Sequence, residues 1–188
     1  LDAEPLALTS QDDKIFFALW SKGMYCIDSD SNEIWRLPLF DSMAKSPPRS
    51  EEVAAISTIG DEKIVVWSKG GKFREIDSNS GTILNESKID IECDLEEVFN
   101  HDEIFLLSSK DGWAWEVKDS QVIVARKLRG TIQYAVFDDG DWRVISWRED
   151  ILMRSDSVER SELGVQLVKF NDVWHVLDNQ GQTSPHMG

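Results

Sequence analysis

The chain repeats itself, and that repetition limits its folds more than any other feature. Ile27-Asp28-Ser29-Asp30-Ser31-Asn32-Glu33-Ile34 and Ile76-Asp77-Ser78-Asn79-Ser80-Gly81-Thr82-Ile83 follow one pattern, an apolar run, an Asp, a polar turn and a new apolar run. Asp, Asn and Ser bond their own backbone a few residues on, so each string reads as a hairpin. Just upstream, Lys14 to Gly23 matches Lys63 to Gly70 once a short length difference is allowed, which sets Trp20 against Trp67. A third copy runs from Glu103 through Gly112 to Leu128. A fourth runs from Trp142 to Leu163, with turns expected at Arg148-Glu149-Asp150 and Ser155-Asp156-Ser157. A fifth begins with Val165 to Phe170 and Val173 to Leu177.

Ahead of each copy lies a further short apolar segment: Pro5 to Leu8, Val53 to Ile59, Leu95 to Phe99, Tyr134 to Phe137 and Val165 to Phe170. That makes four strands per unit, at the spacing of propeller blades of about 40 to 50 residues. One four-stranded antiparallel sheet leaves an apolar face open, whereas sheets stacked around an axis cover one another. Helical periodicity is poor throughout, and Gly, Asp, Asn and Ser punctuate the strands. The expected fold is therefore all-β, a β-propeller or partial propeller of four-stranded antiparallel blades with about four to five repeat units. Residues 1–188 read as a single domain, complete or part of a larger propeller. The segment Asp41 to Glu52, with Pro47 and Pro48, reads as a loop inserted between two units.

At this point a resemblance has residues to stand on. Gly23-Met24-Tyr25-Cys26-Ile27-Asp28 through Ile34-Trp35, and Gly71 to Leu84, resemble the repeat of the quinoprotein-like propellers: a glycine, a strand ending near Asp, a polar turn and a strand ending in Trp. The resemblance covers two units well and two more loosely. It implies a propeller, and similar repeats serve as cofactor-bearing dehydrogenases, bacterial outer-membrane assembly lipoproteins and luminal domains of endoplasmic-reticulum membrane proteins. Four to five units fall short of the eight usual in that family. The adjacent cysteine pair and the cofactor-clamping set of its enzymatic members are missing, which disfavours quinone chemistry, so the expectation is a non-enzymatic branch with no cofactor.

Charge narrows the partners. A net charge of −15 and a sequence pI near 4.5 oppose binding to phosphate backbones and anionic lipid, so no nucleic acid is expected. The one basic cluster, Arg126, Lys127 and Arg129, reads as a solvated strand edge, with a local anion site as the alternative. Eight tryptophans and a 41% hydrophobic content give ample apolar surface to offset the entropy of ordering. No apolar stretch approaches the length of a transmembrane segment. Cys26 and Cys93 are too few for a disulfide framework or a zinc knuckle.

Candidate chemistry is sparse. Asp28, Asp30 and Asn32 alternate like calcium-loop ligands, but Glu33 stands where such a loop needs Gly and Leu39 where it needs the bidentate acid, so the same residues read as a turn. His101, His175 and His186 lack metal-ligand spacing. Asp138, Asp139 and Asp141 could pair as catalytic acids, and equally make a tight hairpin around Gly140. Trp20, Trp67 and Trp147 occupy matching strand ends, with Ser108 in the third unit. They fill the space between blades or, if they meet on one face, form a flat surface for protein or carbohydrate. The resulting expectation is a non-enzymatic protein-protein interaction module or complex subunit, its protein partner completing an open sheet edge. Two alternatives stand beside it: a propeller-type enzyme using acids on a carbohydrate or small molecule, and an acidic inhibitor or immunity-type protein.

Overall fold

The computed structural model describes residues 3–41, 48–91 and 94–187, and every regular element in them is a strand. Sheet 1 is β1 (Pro5–Gln11), β2 (Lys14–Leu19), β3 (Gly23–Asp28) and β4 (Glu33–Leu37). Sheet 2 is β5 (Val53–Ile59), β6 (Lys63–Ser68), β7 (Lys72–Asp77) and β8 (Ile83–Lys88). Sheet 3 is β9 (Leu95–His101), β10 (Ile104–Ser109), β11 (Trp113–Lys118) and β12 (Gln121–Lys127), and sheet 4 is β13 (Ile132–Asp138), β14 (Asp141–Ser146), β15 (Glu149–Leu152) and β16 (Ser157–Glu159). Sheet 5 holds three strands, β17 (Gly164–Phe170), β18 (Val173–Asp178) and β19 (Thr183–Pro185). Within each sheet, strands adjacent in sequence are adjacent in space. The chain divides into two compact units, Leu1–Val98 with sheets 1 and 2, and Phe99–Gly188 with sheets 3 to 5, the boundary falling in β9.

The first hairpin of every sheet turns through a left-handed residue: Asp12 (φ 51°), Gly60 (φ 56°), Asp102 (φ 49°), Asp139 (φ 52°) and Asn171 (φ 48°). Gly, Asp and Asn tolerate this region best, which is why these turns were legible as acidic or Asn-bearing punctuation. The Asp141 region is accordingly a hairpin, with Asp138 opposite Asp141. Central strands carry the β-branched and aromatic residues that suit a pleated surface. In β6 and β10 residues on both faces are buried, so these strands read as continuous apolar runs.

Pairing corrects the repeat alignment. Lys14 lies opposite Asp28 and Lys63 opposite Asp77, and a three-residue turn joins β2 to β3 as it joins β6 to β7. Over β2 and β3 the first repeat therefore matches β6 and β7 of the second without a gap. Ala18, opposite Met24, is the counterpart of Trp67, opposite Phe73. Trp20 corresponds to Lys69, and the shared string Trp-Ser-Lys-Gly is a local coincidence offset by two residues.

The fourth unit needs a second correction. Its turn is Trp147-Arg148, and Glu149 and Asp150 open β15 inside the sheet. Both acids are buried because cations meet them: Arg160 Nη1 lies 2.7 Å from Asp150 Oδ2, and Arg129 Nε lies 3.6 Å from Glu149 Oε1. The fifth unit likewise continues past Leu177 into β19.

Sheets pack through a constant pair of faces. In the first unit, Phe16, Ala18, Met24, Cys26 and Trp35 on the rear of sheet 1 meet Ile56, Ile64, Val66 and Ile76 on the front of sheet 2. Each such fully buried aliphatic side chain contributes about 1.5–3 kcal/mol. Trp35 adds a directional lock, its Nε1 donating to the Ser78 carbonyl at 3.0 Å while its ring lies against Gly81 (φ +72°). In the second unit, Leu106 and Ala114 of sheet 3 pack on Trp142, Val144, Ile151 and Met153 of sheet 4. Ile145 on the rear of sheet 4 packs on Leu167 and Val176 of sheet 5.

Candidate functional site

The three sequence-selected tryptophans have different surroundings. Trp67 is 1% exposed and stacks on Phe73 at a centroid distance of 4.8 Å, so it belongs to the interior and has no surface to offer a partner. Trp20 is half-buried beneath the Arg49 guanidinium, 5.5 Å from its ring centroid. Arg49 in turn bonds Glu4 at 3.2 Å and the fully buried Glu52, to which Lys69 Nζ also donates at 2.8 Å. Trp147 is 50% exposed at the tip of its turn, with φ 51° and Arg148 5.4 Å above the ring. By register Trp147 and Trp20 are counterparts, each following the last residue of the second strand of its sheet.

A fourth aromatic position went unnoticed in the sequence. Trp113 is partly exposed, stacks on Trp115 at 6.1 Å and carries Lys127 Nζ 5.6 Å from its ring. The alternation Trp113-Ala114-Trp115, which places both indoles on one face of β11, was the available signal.

The polar candidates are engaged in local structure. Asp28 accepts from the backbone amides of Asp30 (3.0 Å) and Asn32 (2.8 Å) and from Asn32 Nδ2 (2.9 Å). The Asn32 side chain and backbone hold its carboxyl below the usual range. At the equivalent turn Asp77 accepts from Asn79 and Ser80, and bonds from Ser80 depress it likewise. Asp138 pairs with Lys169 (3.1 Å) and Arg143 (3.5 Å), and Asp141 accepts from the Trp142 and Arg154 amides. His101 stacks on Phe137, His175 meets Phe170 edge-on, and His186 is buried beside the Met187 carbonyl. The basic cluster is distributed inward: Arg126 donates to the carbonyls of Leu152 and Ser155, Lys127 bonds Asp111, and Arg129 bridges Glu149 and Glu159. Among the described residues no group of three or more His, Cys, Asp or Glu is arranged to hold a metal ion. Cys93 lies outside the described residues.

An open groove of about 640 Å³ lies between the outer strands of sheets 4 and 5. Arg160 spans its floor, donating from Nη1 to Asp150 and from Nη2 to the Ser184 hydroxyl. Glu159, Glu162 and Asp178 also line it, so carboxylates outnumber its one arginine. One wall is β19, which pairs with β18 on one side and with no strand among the described residues on the other. The His186 amide donates to the Trp174 carbonyl, and Gln182 accepts from Asp178. By the alternation of an antiparallel strand, Thr183 and Pro185 then turn their backbone groups to the open side.

No family model and no curated protein sequence matches the chain. Solved structures do match. The WD40 domain of Neurospora crassa Pan2 aligns at 12% identity and TM-score 0.65 over 96% of this chain and 60% of its own. Virginiamycin B lyase from Staphylococcus aureus aligns at 15% identity and TM-score 0.63 over 98% of this chain and 70% of its own. BBS1N, solved in complex with ARL6DN, aligns at 11% identity and TM-score 0.67 over 96% of this chain and 62% of its own. At such identities the likeness is one of fold: the chain has the all-β fold of repeated propeller blades, and it spans about three fifths of the length of two of these three structures.

Proposed function

We propose that this chain is a non-enzymatic protein-protein interaction module, a subunit or domain of a larger assembly in the propeller superfamily. The observation that carries the reading is the unpaired edge of β19 beside an acid-lined groove. The outward Thr183 amide and the outward carbonyls of Thr183 and Pro185 are a short template for an added strand, and the surrounding carboxylates favour a basic or neutral one. Trp147 supplies an exposed aromatic anchor of the kind that dominates interface energetics, and Trp20 a partly covered one. BBS1N, a structural neighbour solved in complex with ARL6DN, supports a protein partner.

The enzyme alternative requires two carboxylates facing each other across a pocket. Asp138 and Asp141 are instead bound by cations and turn amides, which favours the interaction reading. An acidic inhibitor of a basic enzyme draws on the net charge of −15 and differs only in partner.

The test is isolation of the native full-length protein with its companions, then reconstitution with the partner recovered. A stoichiometric partner is expected, with affinity reduced at least about tenfold by Thr183→Pro, which removes an outward donor, while near-UV dichroism stays unchanged. Recovery of the protein alone, or a partner indifferent to Thr183→Pro, Trp20→Ala and Trp147→Ala, would contradict the reading.

A further inference from the structure

The front of sheet 1 and the rear of sheet 5 each carry apolar side chains that reach the surface, and their residues identify what fits them. On the front of sheet 1, Leu8 lies opposite Phe17, Phe17 opposite Tyr25, and Ile15 opposite Ile27. By register Leu8, Phe17, Ile15 and Ile27 are the counterparts of Ile56, Val66, Ile64 and Ile76, the side chains that sheet 2 buries against sheet 1, and Tyr25 is the counterpart of Arg74. In sheet 1 Leu8 is 71% exposed, while Phe17 and Tyr25, stacked at 5.2 Å, and Ile15 and Ile27 are partly buried.

On the rear of sheet 5, Val168 lies opposite His175 and Phe170 opposite Val173. His175 is the counterpart of Phe16, which is fully buried on the rear of sheet 1, and Leu177 of Ala18. Here the face is open, with Phe170 67% exposed and Val168 and Val173 also exposed.

Every sheet contact inside the units joins the rear of one sheet to the front of the next. We propose that the chain self-associates head to tail, the rear of sheet 5 of one copy seating on the front of sheet 1 of a second. The two faces differ in residues and belong to opposite ends of the series, so the contact is heterologous and each copy keeps one face free for further addition. The ladder of Leu8, Phe17 and Tyr25 supplies the aliphatic and aromatic surface against which Val168, Phe170 and Val173 desolvate. Like charge between copies opposes the association at low ionic strength, so added salt strengthens it.

Sedimentation of the whole chain across a dilution series, at low and high salt, tests this with two surface variants. Leu8→Glu closes the front and Phe170→Glu the rear, and both positions are exposed enough to leave the fold intact, which near-UV dichroism checks. The wild type gains mass stepwise with concentration, each variant alone associates at least about tenfold more weakly, and an equal mixture of the two forms a dimer and nothing larger. A wild type that stays monomeric at every concentration and salt overturns the proposal, as does a mixture that fails to pair. Neither variant touches β19, so loss of self-association leaves the edge-strand reading standing, and the reverse also holds.

Discussion

Individual residues divide between those that hold the sheets and those left to face outward. Cys26 is fully buried on the rear of sheet 1, and burial pushes its thiol up to about 11. A buried thiol with so little thiolate is inert. In a Cys93→Ser background, iodoacetamide at neutral pH should therefore modify Cys26 only after denaturant is added, as read by mass spectrometry. Asp28 and Asp77 carry the opposite shift, since side-chain and backbone donors favour their ionised forms in the folded chain. A depressed folded value gives stabilisation that is complete above the ordinary 3.8 and is lost as pH falls through the lower folded value. Urea midpoints at about pH 5 and about pH 3 should differ less for Asp28→Asn than for the wild type. The tryptophans make the sharpest contrast. Trp67→Ala empties a packed interior and should cost about 3–5 kcal/mol in urea unfolding, whereas Trp147→Ala should stay within about 0.5 kcal/mol.

At the scale of strands and sheets, closeness of packing governs what is tolerated. Gly164 opens β17 where an added Cβ would overlap Ile145 Cγ2 and lie 3.0 Å from Val176 Cγ1. Gly164→Ala should cost about 1–3 kcal/mol through overpacking between sheets 4 and 5, measurable as a lower midpoint of thermal unfolding. Strand positions were legible in the sequence because apolar runs and left-handed Asp or Asn turns mark each hairpin. Register was not, because the identical strings around Trp20 and Trp67 outweighed the pairing of Lys14 with Asp28 and Lys63 with Asp77. Glu149 and Asp150 were misplaced for a related reason: an acid counts as a turn signal until its cation is known, and Arg129 and Arg160 are distant enough in sequence to hide that pairing. The groove beside β19 was invisible for the same cause, being built from residues of two sheets.

For the whole molecule, the fold consists of separate antiparallel sheets, and within each unit a sheet covers one face of its neighbour. Interaction, whether along the β19 edge or through the open faces of sheets 1 and 5, follows from where that mutual covering stops. The measurement that bears on it most directly is a complete set of cross-strand nuclear Overhauser contacts for the labelled chain. The account predicts five closed sets, with Trp67 facing Phe73, Ala18 facing Met24 and Ser146 facing Glu149. Contacts that join strands of different sheets into two continuous layers, or a register that sets Trp20 in the place of Trp67, would contradict it.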